Sequence, residues 1–152
     1  DFNLPERFEL EYSGDENNKI QPVMIHRAIL GSFERFIGIL TEHYAGEFPM
    51  FVAPTQVAIV PIAEPHNAYA KELADKLIDL GADSEIFSKN ESLNKRIRTA
   101  EKGRVPMIIV LGDDEVENKT IAVRDRRERE QYNLSEAEFL AMIQQKINEV
   151  NF

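Results

Sequence analysis

Apolar residues recur along this chain with two different periods. At helical spacing fall Phe33, Phe36, Ile37, Leu40 and Tyr44, then Tyr69, Ala70, Leu73, Ala74, Leu77 and Ile78. Leu93, Ile97 and Ala100 follow, and finally Phe139, Ile143, Ile147 and Val150. Each set predicts a helix with one buried face. The flanking residues agree. Ser32 can accept an orphan backbone N–H at the start of the first helix, and Gly46 can close it. Pro65 suits the first turn of the second and Gly81 its end. The third is expected over residues 91–102, and Ser135 with Glu138 forms a capping box before the last. Short β-branched or alternating runs predict strands at residues 21–28, 56–62, 84–88, 107–111 and 120–124. In the first of these Val23 and Ile25 share one face, Met24 and His26 the other. Residues 14–19 predict a hairpin tip between two strands, and residues 112–118 a turn-rich connection.

From residue 56 onward the order strand–helix–strand–helix–strand predicts parallel pairing with right-handed crossovers, and the next strand adds an antiparallel edge. This is a three-layer α/β domain with a mixed, mostly parallel sheet flanked by helices. The aperiodic segment 47–55, with Pro49 and Pro54, reads as a linker. Two domains are therefore expected, residues 1–50 and 51–152, the first contributing a strand and a helix. The chain starts at Asp1 and runs straight into a strand-like segment, so a piece of a longer protein is expected.

Composition narrows the classes. With 152 residues, 43% hydrophobic and 30% charged, the chain can bury a core and is neither disordered nor low in complexity. The longest apolar run has five residues, far short of the roughly 20 needed to cross a bilayer. No signal-peptide pattern opens the chain. There is no Cys, hence no disulfide or thiolate chemistry. The net charge of −9 argues against nucleic acid until it is divided. Residues 89–129 hold 11 Lys/Arg against 8 Asp/Glu, a balance of +3, and the remainder 7 against 19, a balance of −12. A local basic region on an acidic body attracts a polyanion at one face and repels it elsewhere. A merely solvated surface is the plainer alternative.

Nucleotide-binding loops are missing, since no Gly-rich turn follows the strand at 56–62. His26, His43 and His66 are too scattered to suggest a metal site, and nothing resembles a nucleophile elbow. Arg35 sits in the first turn of a helix, where an anion is favoured; alternatively it pairs with Glu34 or Glu42.

The run His26-Arg27-Ala28-Ile29-Leu30-Gly31-Ser32-Phe33-Glu34-Arg35-Phe36 resembles the third signature motif of class II aminoacyl-tRNA synthetases, and its wording that of the threonyl-tRNA synthetase family. Collinear matches continue through Phe48-Pro49, Ala53-Pro54, Gln56-Val57, Arg96-Ile97-Arg98, Val105-Pro106 and Gly112-Asp113 to Glu115-Val116, covering nearly the whole chain.

The resemblance implies that residues 1–50 are the end of an antiparallel catalytic domain and residues 51–152 an anticodon-binding domain. It implies a cytoplasmic, homodimeric parent that joins threonine to tRNA using Mg-ATP. The motif arginine, Arg35, would be catalytic, contacting ATP phosphate, and Ser32 would line the substrate pocket. His26 would be one of three zinc ligands whose other two lie upstream, so no metal is expected on this fragment and no activity from it alone. Asn90, Arg104, Glu115 and Arg124 match contacts to the anticodon of threonine tRNA. Lys95, Arg96, Arg98 and Lys102 would meet the tRNA backbone. A carboxylate can accept from guanine or uracil donors and a guanidinium can donate to base oxygens and nitrogens. Without the resemblance, Glu115 reads equally as a turn carboxylate paired with Lys119. Neither membrane nor DNA is an expected partner. Two rivals stay open: the anticodon domain of a prolyl, histidyl or glycyl relative, and a protein-interaction module on the same fold.

Overall fold

The computed structural model describes residues 1–15, 17–88 and 90–149, in two compact units, Asp1–Ile39 and Leu40–Phe152. In the first unit a short helix, α1 (Asn3–Arg7), precedes a two-stranded antiparallel hairpin of β1 (Tyr12–Ser13) and β2 (Lys19–Ile20). The hairpin tip expected at residues 14–19 is present, apart from residue 16, which lies outside the described residues.

The strand expected at residues 21–28 is not formed. Met24 exchanges backbone hydrogen bonds with Asp1, but no ladder develops and Ile25 is 88% exposed. Alternation marks a face, whereas a strand also requires a neighbour to take its N–H and C=O groups, and none lies alongside among the described residues. Next comes α2 (Phe33–His43), where Ser32 Oγ accepts the Arg35 N–H at 3.2 Å. Its apolar stripe is only partly covered: no residue of α2 is buried, Phe36 and Leu40 are half-buried, and Phe33 is 76% exposed. Beyond the helix Gly46, at φ +76°, takes the left-handed conformation of a helix stop and donates to Thr41 O.

The second unit is the layered domain. In chain order it comprises β3 (Val57–Pro61), α3 (Asn67–Asp79), β4 (Ser84–Ile86), α4 (Leu93–Lys102), β5 (Met107–Leu111), α5 (Asp113–Asn118), β6 (Thr120–Asp125), β7 (Glu130–Ser135) and α6 (Glu136–Asn148). The sheet runs β4-β3-β5-β6-β7. β3 lies parallel to β4 and β5, while β5–β6 and β6–β7 are antiparallel. The mixed three-layer architecture expected from the alternation is therefore present, with a fifth strand added.

Each layer follows from the side-chain pattern. Val57 and Ile59 of β3, Met107 and Ile109 of β5, and Ile121 and Val123 of β6 meet Leu73 and Leu77 of α3 and Phe139 and Ile143 of α6 on one face. On the other face Ala58, Val60 and Ile108 meet Ile97 and Ala100 of α4. Both faces of β3 are fully buried, which is why its sequence is apolar without alternation. Each such aliphatic side chain contributes about 1.5–3 kcal/mol on leaving water. Ser135 and Glu138 form the expected capping box of α6; Val150, assigned to that helix from its spacing, lies outside the described residues.

Two elements escaped the pattern. α5 has one half-buried apolar residue, Val116, so it shows no apolar stripe, and its Asp113, Asp114 and Asn118 do not favour helix interiors. β7 presents Tyr132 and Leu134 to α6 but Gln131 and Asn133 to the opposite face, an alternation visible between the Arg-rich loop and the capping box.

Candidate nucleic-acid interface

The C-terminal ends of parallel strands leave a crevice in open α/β sheets, and two of the matched residues arise there. Asn90 lies exposed in the connection between β4 and α4. Glu115 stands in the first turn of α5, directly after β5. Its Oε2 accepts the Gly112 N–H at 2.9 Å, and its Oε1 has no partner among the described residues. Alongside, His66 is buried; its Nδ1 accepts the Ala63 N–H at 3.1 Å and its Nε2 lies 3.0 Å from Asp113 Oδ1. That contact ties the start of α5 to the start of α3. The alternative pairing of Glu115 with Lys119 is not seen. Lys119 instead stands 4.1 Å over the Tyr69 ring and 3.9 Å from Glu72.

Arg124 projects from the next-to-last position of β6 on the α4 side of the sheet. It pairs with Ile108, while Ile121, Val123 and Asp125 face α6. It is half-buried and has no hydrogen-bond or ion-pair partner among the described residues. Ile108 is near the N-terminal end of β5 and Gly112 lies just past its C-terminal end, four steps or about 13 Å along a strand, so Arg124 and Glu115 stand toward opposite ends of the sheet.

Arg104 is placed elsewhere. It follows α4 and precedes β5, at the N-terminal edge of the strands, with φ +56° and Nη1 donating to the Ala45 carbonyl beside Gly46. The structure does not gather it with Asn90 and Glu115.

Among the basic residues of α4 the expectation needs one correction. Arg96 is not a surface contact: it is 7% exposed, with Nη1 donating to Pro61 O and Phe87 O and Nη2 to Ile62 O. Those three carbonyls end β3 and leave β4, where no further strand residue takes them, so the guanidinium caps the sheet from within. Lys95, Arg98 and Lys102 remain exposed; Lys95 reaches Glu91 at 2.9 Å, while Arg98 and Lys102 have no ion-pair partner among the described residues.

In the first unit Arg35 is exposed and unpaired among the described residues, so the pairing with Glu34 or Glu42 is not formed. The His26 ring meets Asp1 Oδ2 at 2.7 Å. No group of three or more His, Cys, Asp or Glu that could hold a metal exists among the described residues, so the donors present do not fit a zinc site. None of their helices is long and apolar enough to cross a membrane.

Ion pairs elsewhere brace the frame. Lys76 Nζ lies 2.6 Å from Glu136 Oε1 and 2.7 Å from Glu72 Oε1, and Tyr69 donates to Glu136 Oε2 at 2.7 Å. Burial and then the Glu136 hydrogen bond push the Tyr69 hydroxyl well above its usual range. Burial raises Glu136, yet the Lys76 and Tyr69 hydrogen bonds outweigh it and hold the carboxyl below its ordinary value.

The family model described as "Anticodon binding domain" matches residues 56–146, the span from the threshold of β3 into α6. The chain belongs to the anticodon-binding domain family. It is 66% identical over 152 residues to the threonine–tRNA ligase of Campylobacter lari, and 62% identical over 149 residues to that of Sulfurovum sp. strain NBC37-1. These alignments take in 100% and 98% of the chain but only 25% of each relative, so the chain spans about a quarter of their length. Among solved structures it resembles the RNA-binding domain of threonyl-tRNA synthetase from Cryptosporidium parvum, with TM-score 0.73 and 32% identity, over 96% of this chain and 37% of that one. Apo histidyl-tRNA synthetase of S. aureus shares the fold, with TM-score 0.57 and 20% identity, over 74% of this chain and 28% of that one.

Proposed function

We propose that the chain is the C-terminal part of a threonine–tRNA ligase, residues 1–50 ending its catalytic domain and residues 51–152 recognising the anticodon of threonine tRNA. One observation carries this reading: within the matched anticodon-binding domain, Arg124 stands unpaired on the sheet face next to α4, and Glu115 offers a free carboxylate oxygen about 13 Å further along, past the C-terminal end of β5. A donor and an acceptor so spaced suit the edges of two different unstacked bases. Asn90 adds an amide at the same end of the strands as Glu115, and Lys95, Arg98 and Lys102 supply charge for the backbone, giving affinity with little sequence choice.

The parent would join threonine to tRNA with ATP, as a cytoplasmic homodimer. Arg35 and Ser32 are the residues of this chain that would face ATP phosphate and substrate, and the planar fork of Arg35 suits phosphate. The exposed Phe33 and Ile37 of α2 support a catalytic domain that supplies further packing. His26 would need two further ligands from that domain, so no step is assigned to zinc here.

The test uses the full-length ligase with threonine tRNA and a transcript whose anticodon is swapped. Arg124→Ala and Glu115→Ala should each cost about 1–3 kcal/mol with the cognate tRNA, and much less with the swapped one. Equal losses on both tRNAs would refute the assignment of these two residues as base readers.

A further inference from the structure

The β6–β7 hairpin carries the sheet two strands past β5, and α4 does not follow it. Helix α4 covers β3 and β5, while α6 covers β6 and β7 from the opposite side. The uncovered face becomes the floor of a groove of about 490 Å³, within the roughly 300–1,000 Å³ typical of small-ligand sites. Register decides what the floor presents. Arg124 pairs with Gln131 and Ala122 with Asn133, so these side chains stand side by side, neighbouring Cβ atoms about 4.5–5.5 Å apart. Ala122 is the small one and leaves a dip between its neighbours. Leu93 and Ile97, from the first turns of α4, form an apolar wall.

Three properties point to RNA bases. First, the groove has no carboxylate in its lining, on a chain with 27 Asp and Glu and a net charge of −9. Second, the Gln131 and Asn133 side chains have no hydrogen-bond partner among the described residues, and each amide holds a donor and an acceptor in one plane. That pairing complements the adjacent donor and acceptor on the Watson–Crick edge of an unstacked base. Third, an edge strand whose outer face merely meets water is usually blunted by charge, and here it carries neutral amides next to one guanidinium.

We propose that Gln131 and Asn133 are specificity-determining residues that extend the Arg124 site across β7, so that one splayed-out anticodon base lies over Ala122, against Leu93 and Ile97. The inference rests on the anticodon reading above and adds residues to it.

The experiment takes the full-length ligase with Gln131→Ala, Asn133→Ala and Asn133→Asp. Aminoacylation kcat/KM is measured for threonine tRNA and for transcripts replaced at each anticodon position in turn, with thermal melting as the check on folding. Asn133→Asp keeps the side-chain size, so a loss with it does not come from packing. The expected result is a fall of about tenfold on the cognate tRNA and a matching loss of discrimination at a single anticodon position. Unchanged discrimination in these variants, with discrimination lost in Arg124→Ala, overturns the inference and leaves the proposed function standing. Equal loss on every transcript also overturns it, because the groove would then hold backbone. Full discrimination retained in Arg124→Ala as well overturns both.

Discussion

Arg96 separates two accounts of the basic helix α4. If it met tRNA phosphate, its removal would leave the fold alone. The structure instead buries it with three backbone carbonyls as partners and no carboxylate among them. Arg96→Met keeps the apolar stem and deletes the guanidinium, leaving Pro61 O, Ile62 O and Phe87 O to find water at the end of the sheet. A hydrogen bond to a charged group contributes about 1.5–3 kcal/mol. Three of them, partly offset by the cost of burying the charge itself, give an expected loss of about 3–5 kcal/mol. For a domain of ordinary stability, about 5–15 kcal/mol, this is a large fraction of the whole. Urea unfolding followed by circular dichroism should show the midpoint falling by more than about 1 M at an unchanged slope, given slopes of about 1–3 kcal/mol per M. An unchanged midpoint, with weaker tRNA binding and a salt slope reduced by about one, would refute the internal role.

Further outcomes follow from the same geometry. Lys102→Ala should weaken tRNA binding evenly across anticodons and lower the salt slope by about one, read from affinities at several salt concentrations. Asp125 Oδ1 accepts the Arg127 and Glu128 N–H groups at 3.0 Å while Oδ2 lies 3.1 Å from Lys146 Nζ. Asp125→Ala should therefore cost about 2–4 kcal/mol and speed amide exchange in the β6–β7 hairpin. Glu136 is held below its ordinary pKa in the folded state, so it stabilises at pH above the unfolded value and that contribution is lost as pH falls through the lower folded one. Glu136→Gln should flatten the acid limb of a stability–pH curve and lose on the order of 1 kcal/mol at neutral pH; an unaltered limb would contradict it.

How far the sequence reaches depends on how local each cause is. The capping box at Ser135 and Glu138 joins groups three residues apart, and the stripes of α3, α4 and α6 repeat within one helix, so both are legible. The unbroken apolar runs of β3 and β5 announce strands covered on both faces. Resemblance added Asn90, Arg104 and Glu115 as candidate site residues, which spacing alone would not have chosen.

Tertiary structure decided the rest, because those outcomes depend on neighbours distant in sequence. Residues 21–28 alternate as a strand does, yet without a partner strand they form none. Arg96 and Arg98 are indistinguishable in a list of basic residues; one is internal because three carbonyls from β3 and beyond β4 converge on it, and the other stays in water. Arg104 left the candidate cluster because the chain enters β5 at the edge opposite to Glu115. The open face holding Arg124, Gln131 and Asn133 exists only because α4 stops short of the hairpin. Periodicity tells which side chains share a face, and only packing tells which of those faces meets solvent.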